Sequence, residues 1–139
     1  MKKILMIMMA VAFGLTACEL ERSENGDFDG VWKMQGVDSL SNGKHADLHE
    51  RQVAYAVQKD LLQLSGNGPT ILCRFQFQGD SLIVSDPRSA GGNDPSTDNL
   101  NHLRGYGIDR LPMSFHIDAL SSSRMILKSE ALRLYFEKY

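Results

Sequence analysis

Among the side chains able to do chemistry, the one local cluster is His45-Ala46-Asp47-Leu48-His49-Glu50. Two histidines four residues apart share one face of a helical turn, a spacing that suits zinc or haem iron. That chemistry needs the turn to form, and the preceding Gly43 works against it. A solvated surface loop is the plainer reading. His102 and His116 lie far along the chain and supply no second pair. The serines fall in turns such as Ser121-Ser122-Ser123, without a Gly-x-Ser-x-Gly elbow to present a nucleophile. Gly91-Gly92 sits in a polar stretch rather than between strand and helix, so it cradles no phosphate. The sequence therefore points to no enzyme, no resident cofactor and no metal centre.

The remaining chemistry is cysteine chemistry. Lys2 and Lys3 precede an apolar run over residues 4–13, and Leu15-Thr16-Ala17-Cys18 follows. Basic, apolar and small-residue segments in that order form an N-terminal targeting signal. The tetrapeptide resembles the bacterial lipobox, which implies that residues 1–17 are a lipoprotein signal peptide and that Cys18 is lipidated. An ordinary secretory signal beside an accidental cysteine, or a buried N-terminal helix, would read similarly. The apolar run is shorter than the roughly 20 residues that span a bilayer. Each buried methylene contributes about 0.8 kcal/mol, so two or more acyl chains on Cys18 would hold the chain to a membrane. The implied location is the cell envelope, anchored to the outer membrane on its periplasmic or surface face. Residues 18–29 are polar and acidic and read as a flexible tether. Glu19 and Glu21 also resemble the lipoprotein export signal of Bacteroidetes, although a solvated leader fits equally well.

With Cys18 acylated, Cys73 stands alone and no intramolecular disulfide can form. Without residues 1–17 the chain keeps 13 of its 15 basic residues against 17 acidic ones, a net charge of −4. No basic face is left for a nucleic acid. What remains is the size of one domain with one core, residues 30–139.

The elements behind these residues are short β-runs. Trp32 and Met34 share one face of a strand over 30–37, with Lys33 and Gln35 on the other. Residues 52–57 and 61–65 form a hairpin through Gln58-Lys59-Asp60. In the strand over 70–77, Ile71, Cys73, Phe75 and Phe77 alternate with polar neighbours, which puts the Cys73 thiol in an apolar interior where it is inert. Residues 81–85 return the chain, and 86–99 form a long polar loop. Asp98 is placed to cap a short helix carrying Leu100, Leu103 and Tyr106, ended by Gly105 or Gly107. Strands over 112–119, 124–129 and 131–138 complete the chain as a meander. Eight short strands hide their edges by closing, so the expected fold is all-β. It is an eight-stranded antiparallel up-and-down barrel with one short helix before the last three strands. An open sandwich of two sheets fits the same pattern.

Gly30-Val31-Trp32 matches the Gly-x-Trp signature of lipocalins and other calycins. Together with Tyr106-Gly107-Ile108, Phe115-His116-Ile117, residues 125–129 and residues 132–136, it makes residues 28–139 resemble the small lipocalin-like lipoproteins of Bacteroides and relatives. That resemblance implies a barrel whose closed end is plugged by Trp32, with an arginine from the end of the chain lying across the indole. Such a contact is worth roughly 0.5–2 kcal/mol. Arg133 is the best-placed arginine and Arg124 the alternative. The in-facing set is Met34, Tyr55, Val57, Phe75, Phe77, Phe115, Met125, Leu127, Leu134 and Phe136. The expected function is that of a membrane-anchored lipoprotein binding a small apolar or amphipathic ligand in the barrel, with this set lining the cavity. The alternative is that the set fills the barrel as packed core. In the second case the barrel would present its loops to an envelope protein partner.

Overall fold

The computed structural model describes residues 25–89 and 99–139. The expected signal segment, Cys18 with its expected lipidation, most of the expected tether, the Asp98 cap and most of the polar loop lie outside the described residues. Among the described residues, nine strands make one antiparallel sheet. They are β1 (Gly30–Ser39), β2 (His45–Asp47), β3 (Ala54–Gln58), β4 (Leu61–Ser65), β5 (Ile71–Gln78), β6 (Ser81–Ser89), β7 (Met113–Leu120), β8 (Arg124–Lys128) and β9 (Leu132–Lys138). Pairing of β1 with β9 closes eight of them, β1 and β3–β9, into a barrel. β2 lies outside the ring, on the upper half of β1 at Gly36–Asp38, past the point where β3 stops at Lys33.

Three local differences from the sequence reading have physical causes. Residues 45–51 form no helical turn, because residues 45–47 pair with β1 and Leu48 donates its N–H to the Gln35 carbonyl. The strand starting at Ser81 does not stop at Asp86. A one-residue bulge, with Asp86 left-handed at φ 55°, absorbs the Asp-Pro step, and pairing resumes at Arg88 and Ser89. Residues 25–29 are no longer tether. They make a 3-10 turn at Gly26–Phe28 that buries the Phe28 ring completely.

The helix, α1 (Asn99–Arg104), is where the spacing placed it, with Leu103 and Tyr106 fully buried. It ends at Gly107 rather than Gly105. Gly107 has φ +88°, its N–H reaches the Arg104 carbonyl, and the Ile108 N–H reaches the Leu103 carbonyl. These are the two bonds of a Schellman cap, whose left-handed residue is normally glycine. The helix is thereby turned so that Leu103, Tyr106 and Ile108 face into the barrel's upper mouth.

The interior is apolar and the exterior polar, the inverse of a barrel that spans a membrane. No described helix is long and apolar enough to cross one.

Candidate functional site

The lower end of the barrel is sealed by aromatic rings. Trp32 is fully buried, and its indole Nε1 donates to the Phe28 carbonyl at 2.8 Å. Phe28 in turn meets Phe75 edge-on, with ring centroids 5.1 Å apart. The cation over the indole is Lys138, with Nζ 4.8 Å from the ring, and not Arg133 or Arg124. Strand parity explains the correction. Lys138 is the register partner of Trp32 and shares the inward parity of Leu134 and Phe136, whereas Arg133 points outward. Arg124 is exposed, opposite Glu137.

The upper mouth is sealed by Tyr106. Its hydroxyl donates to the Pro69 carbonyl at 3.2 Å and accepts from the Asn67 N–H at 3.1 Å. Its own carbonyl accepts a hydrogen bond from the Tyr55 hydroxyl, deep in the barrel. Asn67 Nδ2 donates to the Gly105 carbonyl at 2.7 Å, which ties the loop after β4 to the end of α1.

Between these plugs the in-facing set packs against itself. Met34, Tyr55, Val57, Phe75, Phe115, Met125, Leu127, Leu134 and Phe136 are all at most 7% exposed. Phe77 is the exception at 41%. It has inward parity, but β5 outruns β4 there and pairs only with β6, so the ring lies beyond the rim. Among the described residues, clefts of about 520, 290 and 270 Å³ lie on the outside of the barrel. Of the in-facing set only Val57, Met125 and Phe136 touch any of them. In this conformation the interior is core.

Cys73 belongs to that core, 1% exposed. Burial, with the Asp86 charge adding to it, pushes its thiol up to about 12. Folded protein is therefore expected to leave an aromatic disulfide reagent such as DTNB unreacted at pH 8, with Cys73 reacting only after denaturation. A Cys73 signal from native protein would contradict that burial.

The outer face holds what sequence reasoning missed. Ser81, His116, Lys128, Arg133, Asp38 and His45 occupy successive positions of one register row, crossing β6, β7, β8, β9, β1 and β2. His45 Nδ1 lies 2.5 Å from Asp38 Oδ1, and the Tyr135 hydroxyl donates to Asp38 Oδ2 at 2.7 Å. Farther along the row, His116 Nδ1 is 2.8 Å from Asp118 Oδ1, and Arg133 Nε is 3.3 Å from Asp118 Oδ2. Asp118 is the extra residue of a bulge in β7, which turns its carboxylate towards both partners. His45 and His49 do not converge as a ligand pair. His49 bonds Asp47 instead, and no group of three or more metal-ligating side chains occurs among the described residues. Ser114, His116 and Asp118 stand in a line on β7, and among the described residues no serine hydroxyl bonds the imidazole. The only trace of this arrangement in the sequence is the alternation Ser-x-His-x-Asp.

Both carboxylates are held below the ordinary carboxylate range. The main cause for Asp38 is the Tyr135 hydroxyl, followed by His45, and for Asp118 it is His116. A carboxylate depressed in the folded state stabilises the fold above its unfolded value, near 3.9, and loses that effect as pH falls through the lower folded value. The urea midpoint is thus expected to fall as pH drops from 5 to 3. Asp118→Asn should show a smaller fall, and an identical fall would mean that Asp118 takes no part.

The model of the lipocalin-like domain matches residues 13–139, nearly the whole chain. The chain belongs to the lipocalin-like domain family. A crystal structure of a lipocalin-like protein from Bacteroides uniformis shares 19% identity at a TM-score of 0.65. The match covers 82% of this chain and all of that one. An uncharacterised protein from Bacteroides eggerthii shares 20% identity at a TM-score of 0.61, over 81% of this chain and 99% of its own. An NMR structure of a Burkholderia xenovorans protein, 9% identical, reaches 0.55 over 80% and 82%. At these identities the likeness is one of fold. No curated protein matches.

Proposed function

We propose that this lipocalin-like protein is a lipid-anchored binding module of the cell envelope without catalytic activity. Its barrel is a filled scaffold, and its outer face and loops meet an envelope partner. The observation that carries the reading is the closed interior: nine of the ten in-facing side chains are buried, with Trp32 and Tyr106 plugging the two ends. A filled core at normal density leaves no room for a lipid-sized guest. The leader ending at Cys18 supports the anchor, and the net charge of −4 left without residues 1–17 disfavours nucleic acid.

A second reading, a small apolar or amphipathic ligand inside the barrel, draws on the family fold and on one feature of the mouth. The upper plug is a single six-residue helix with its terminal turn, and displacing it would uncover Tyr55 and the core beneath.

Native mass spectrometry of protein purified gently from the envelope separates the two. Scaffold protein carries no apolar guest and keeps its melting temperature across a fatty-acid, sterol and haem panel. A co-purifying apolar molecule would overturn the filled-scaffold reading in favour of the second. The anchor has its own check. Denatured protein from the envelope should titrate with DTNB as one thiol, Cys73, since a thioether at Cys18 does not react. Two thiols would refute lipidation.

A further inference from the structure

The largest of these clefts, about 520 Å³, opens on the outer face of β6, β7 and β8. Ser81, His116 and Lys128 cross it as neighbours in one register row, and Ser114 stands two residues before His116 on the same face of β7. We propose that this cleft binds a small oxyanion, the phosphate or carboxylate group of a ligand, between the Lys128 ammonium, the His116 imidazole and the hydroxyls of Ser81 and Ser114.

The argument is one of donors and acceptors. Both carboxylates bordering the cleft are already engaged. Asp118 is held by His116 Nδ1 at 2.8 Å and by Arg133 Nε at 3.3 Å, and Glu130 Oε2 accepts from Arg110 Nη1 at 3.2 Å. Lys128 has no carboxylate within 4 Å among the described residues, although it lies near enough to Asp118 to help lower its pKa. Asp118 also fixes the ring of His116. With Nδ1 committed to that carboxylate, the proton on Nδ1 is set and Nε2 is left without a protein partner among the described residues. Protonated, Nε2 is a second charged donor. The groups that face it are Asp118 on its own strand, Lys128 and Glu130 across β8 and its turn, Arg133 from β9 and Ser81 from β6. The hydroxyls of Ser81 and Ser114 make no hydrogen bond among the described residues. Ser129 is spoken for, donating to the Leu132 carbonyl. Besides the two engaged carboxylates and Ser129, what faces the cleft is one ammonium, one imidazole edge and two rotatable hydroxyls, all able to donate. An oxyanion satisfies all four, and charge-assisted bonds of this kind are the strong ones. A cation would meet Lys128, and an apolar ligand would strand the hydroxyls.

The site is independent of whether the barrel is filled, so its failure would leave that reading standing. The test uses the mature protein in non-ionic detergent micelles at pH 5.5 and constant ionic strength, with the imidazole carbon-bound protons followed by NMR. Inorganic phosphate and acetate are titrated separately. The expected result is a saturable shift of the His116 signal, with half-saturation on the order of 1 mM. His45, His49 and His102 should not follow it. Saturation by phosphate alone assigns a phosphate-bearing ligand, by acetate alone a carboxylate, and by both an oxyanion of either kind. Lys128→Met, an exposed change that should leave the other three histidine signals in place, is expected to weaken binding about tenfold or more. A shift linear in concentration, equal shifts at all four histidines, or unchanged binding by Lys128→Met would overturn the proposal.

Discussion

Trp32→Ala is expected to lower the free energy of unfolding by about 3–5 kcal/mol, the usual range for emptying a buried aromatic site. Against a total of roughly 5–15 kcal/mol for a domain, that approaches the whole margin. Two effects add. The indole is fully buried, so its removal leaves a cavity at the barrel's lower end, where Phe28 and Phe75 are already held edge-on to each other from separate elements. Its Nε1 also ties down the Phe28 carbonyl, and with it the 3-10 turn that caps the barrel's lower end. The measurement is urea denaturation followed by far-ultraviolet circular dichroism, since Trp32 is the single tryptophan and its fluorescence leaves with it. Lys138→Met is the control. It removes the cation over the ring and the bond from Nζ to the Asp27 carbonyl, and should cost only about 0.5–1 kcal/mol at so exposed a site. Equal costs for the two substitutions would mean that the indole's burial is not what closes the barrel.

How much of this was readable beforehand depends on the range of the interaction. Alternation within a strand is local, so the inward faces of β5, β8 and β9 were legible from Ile71, Cys73 and Phe75, from Met125 and Leu127, and from Leu134 and Phe136. The helix was legible for the same reason, through the spacing of Leu100, Leu103 and Tyr106. Register between strands is not local. That Lys138 rather than Arg133 lies over Trp32 depends on which residue of β9 stands opposite Trp32, and the sequence does not state it. The same holds for the outer row, where residues from Asp38 to Arg133 come together only because six strands align. Bulges are equally silent. Asp86-Pro87 resembles a strand terminus, yet a single left-handed residue lets β6 continue past it. Phe77 obeys its parity and still lies outside, because parity says nothing of where the barrel's rim falls. The filled interior was the hardest to foresee. It depends on Tyr106 reaching Asn67 and Pro69, a contact made across nearly forty residues of chain.

Tyr106→Ala is expected to have the second large effect, and it bears on function as well as stability. The ring is fully buried at the mouth, so its loss should cost about 3–5 kcal/mol through the cavity left behind. At roughly 4 °C per kcal/mol for a domain of this size, the melting temperature should fall by about 12–20 °C. Tyr106→Phe separates ring from hydroxyl. It keeps the plug but strands the Asn67 N–H, and should cost about 1–3 kcal/mol. The hole made by alanine would be lined by apolar side chains such as Leu103 and Ile108, and a dry apolar cavity binds xenon or benzene. Either probe should then raise the melting temperature of Tyr106→Ala and leave the unaltered protein unmoved. Stabilisation of the unaltered protein by the same probes would mean that its interior already holds usable space. The barrel would then be a vessel that Tyr106 merely lids, and the ligand reading would displace the scaffold one.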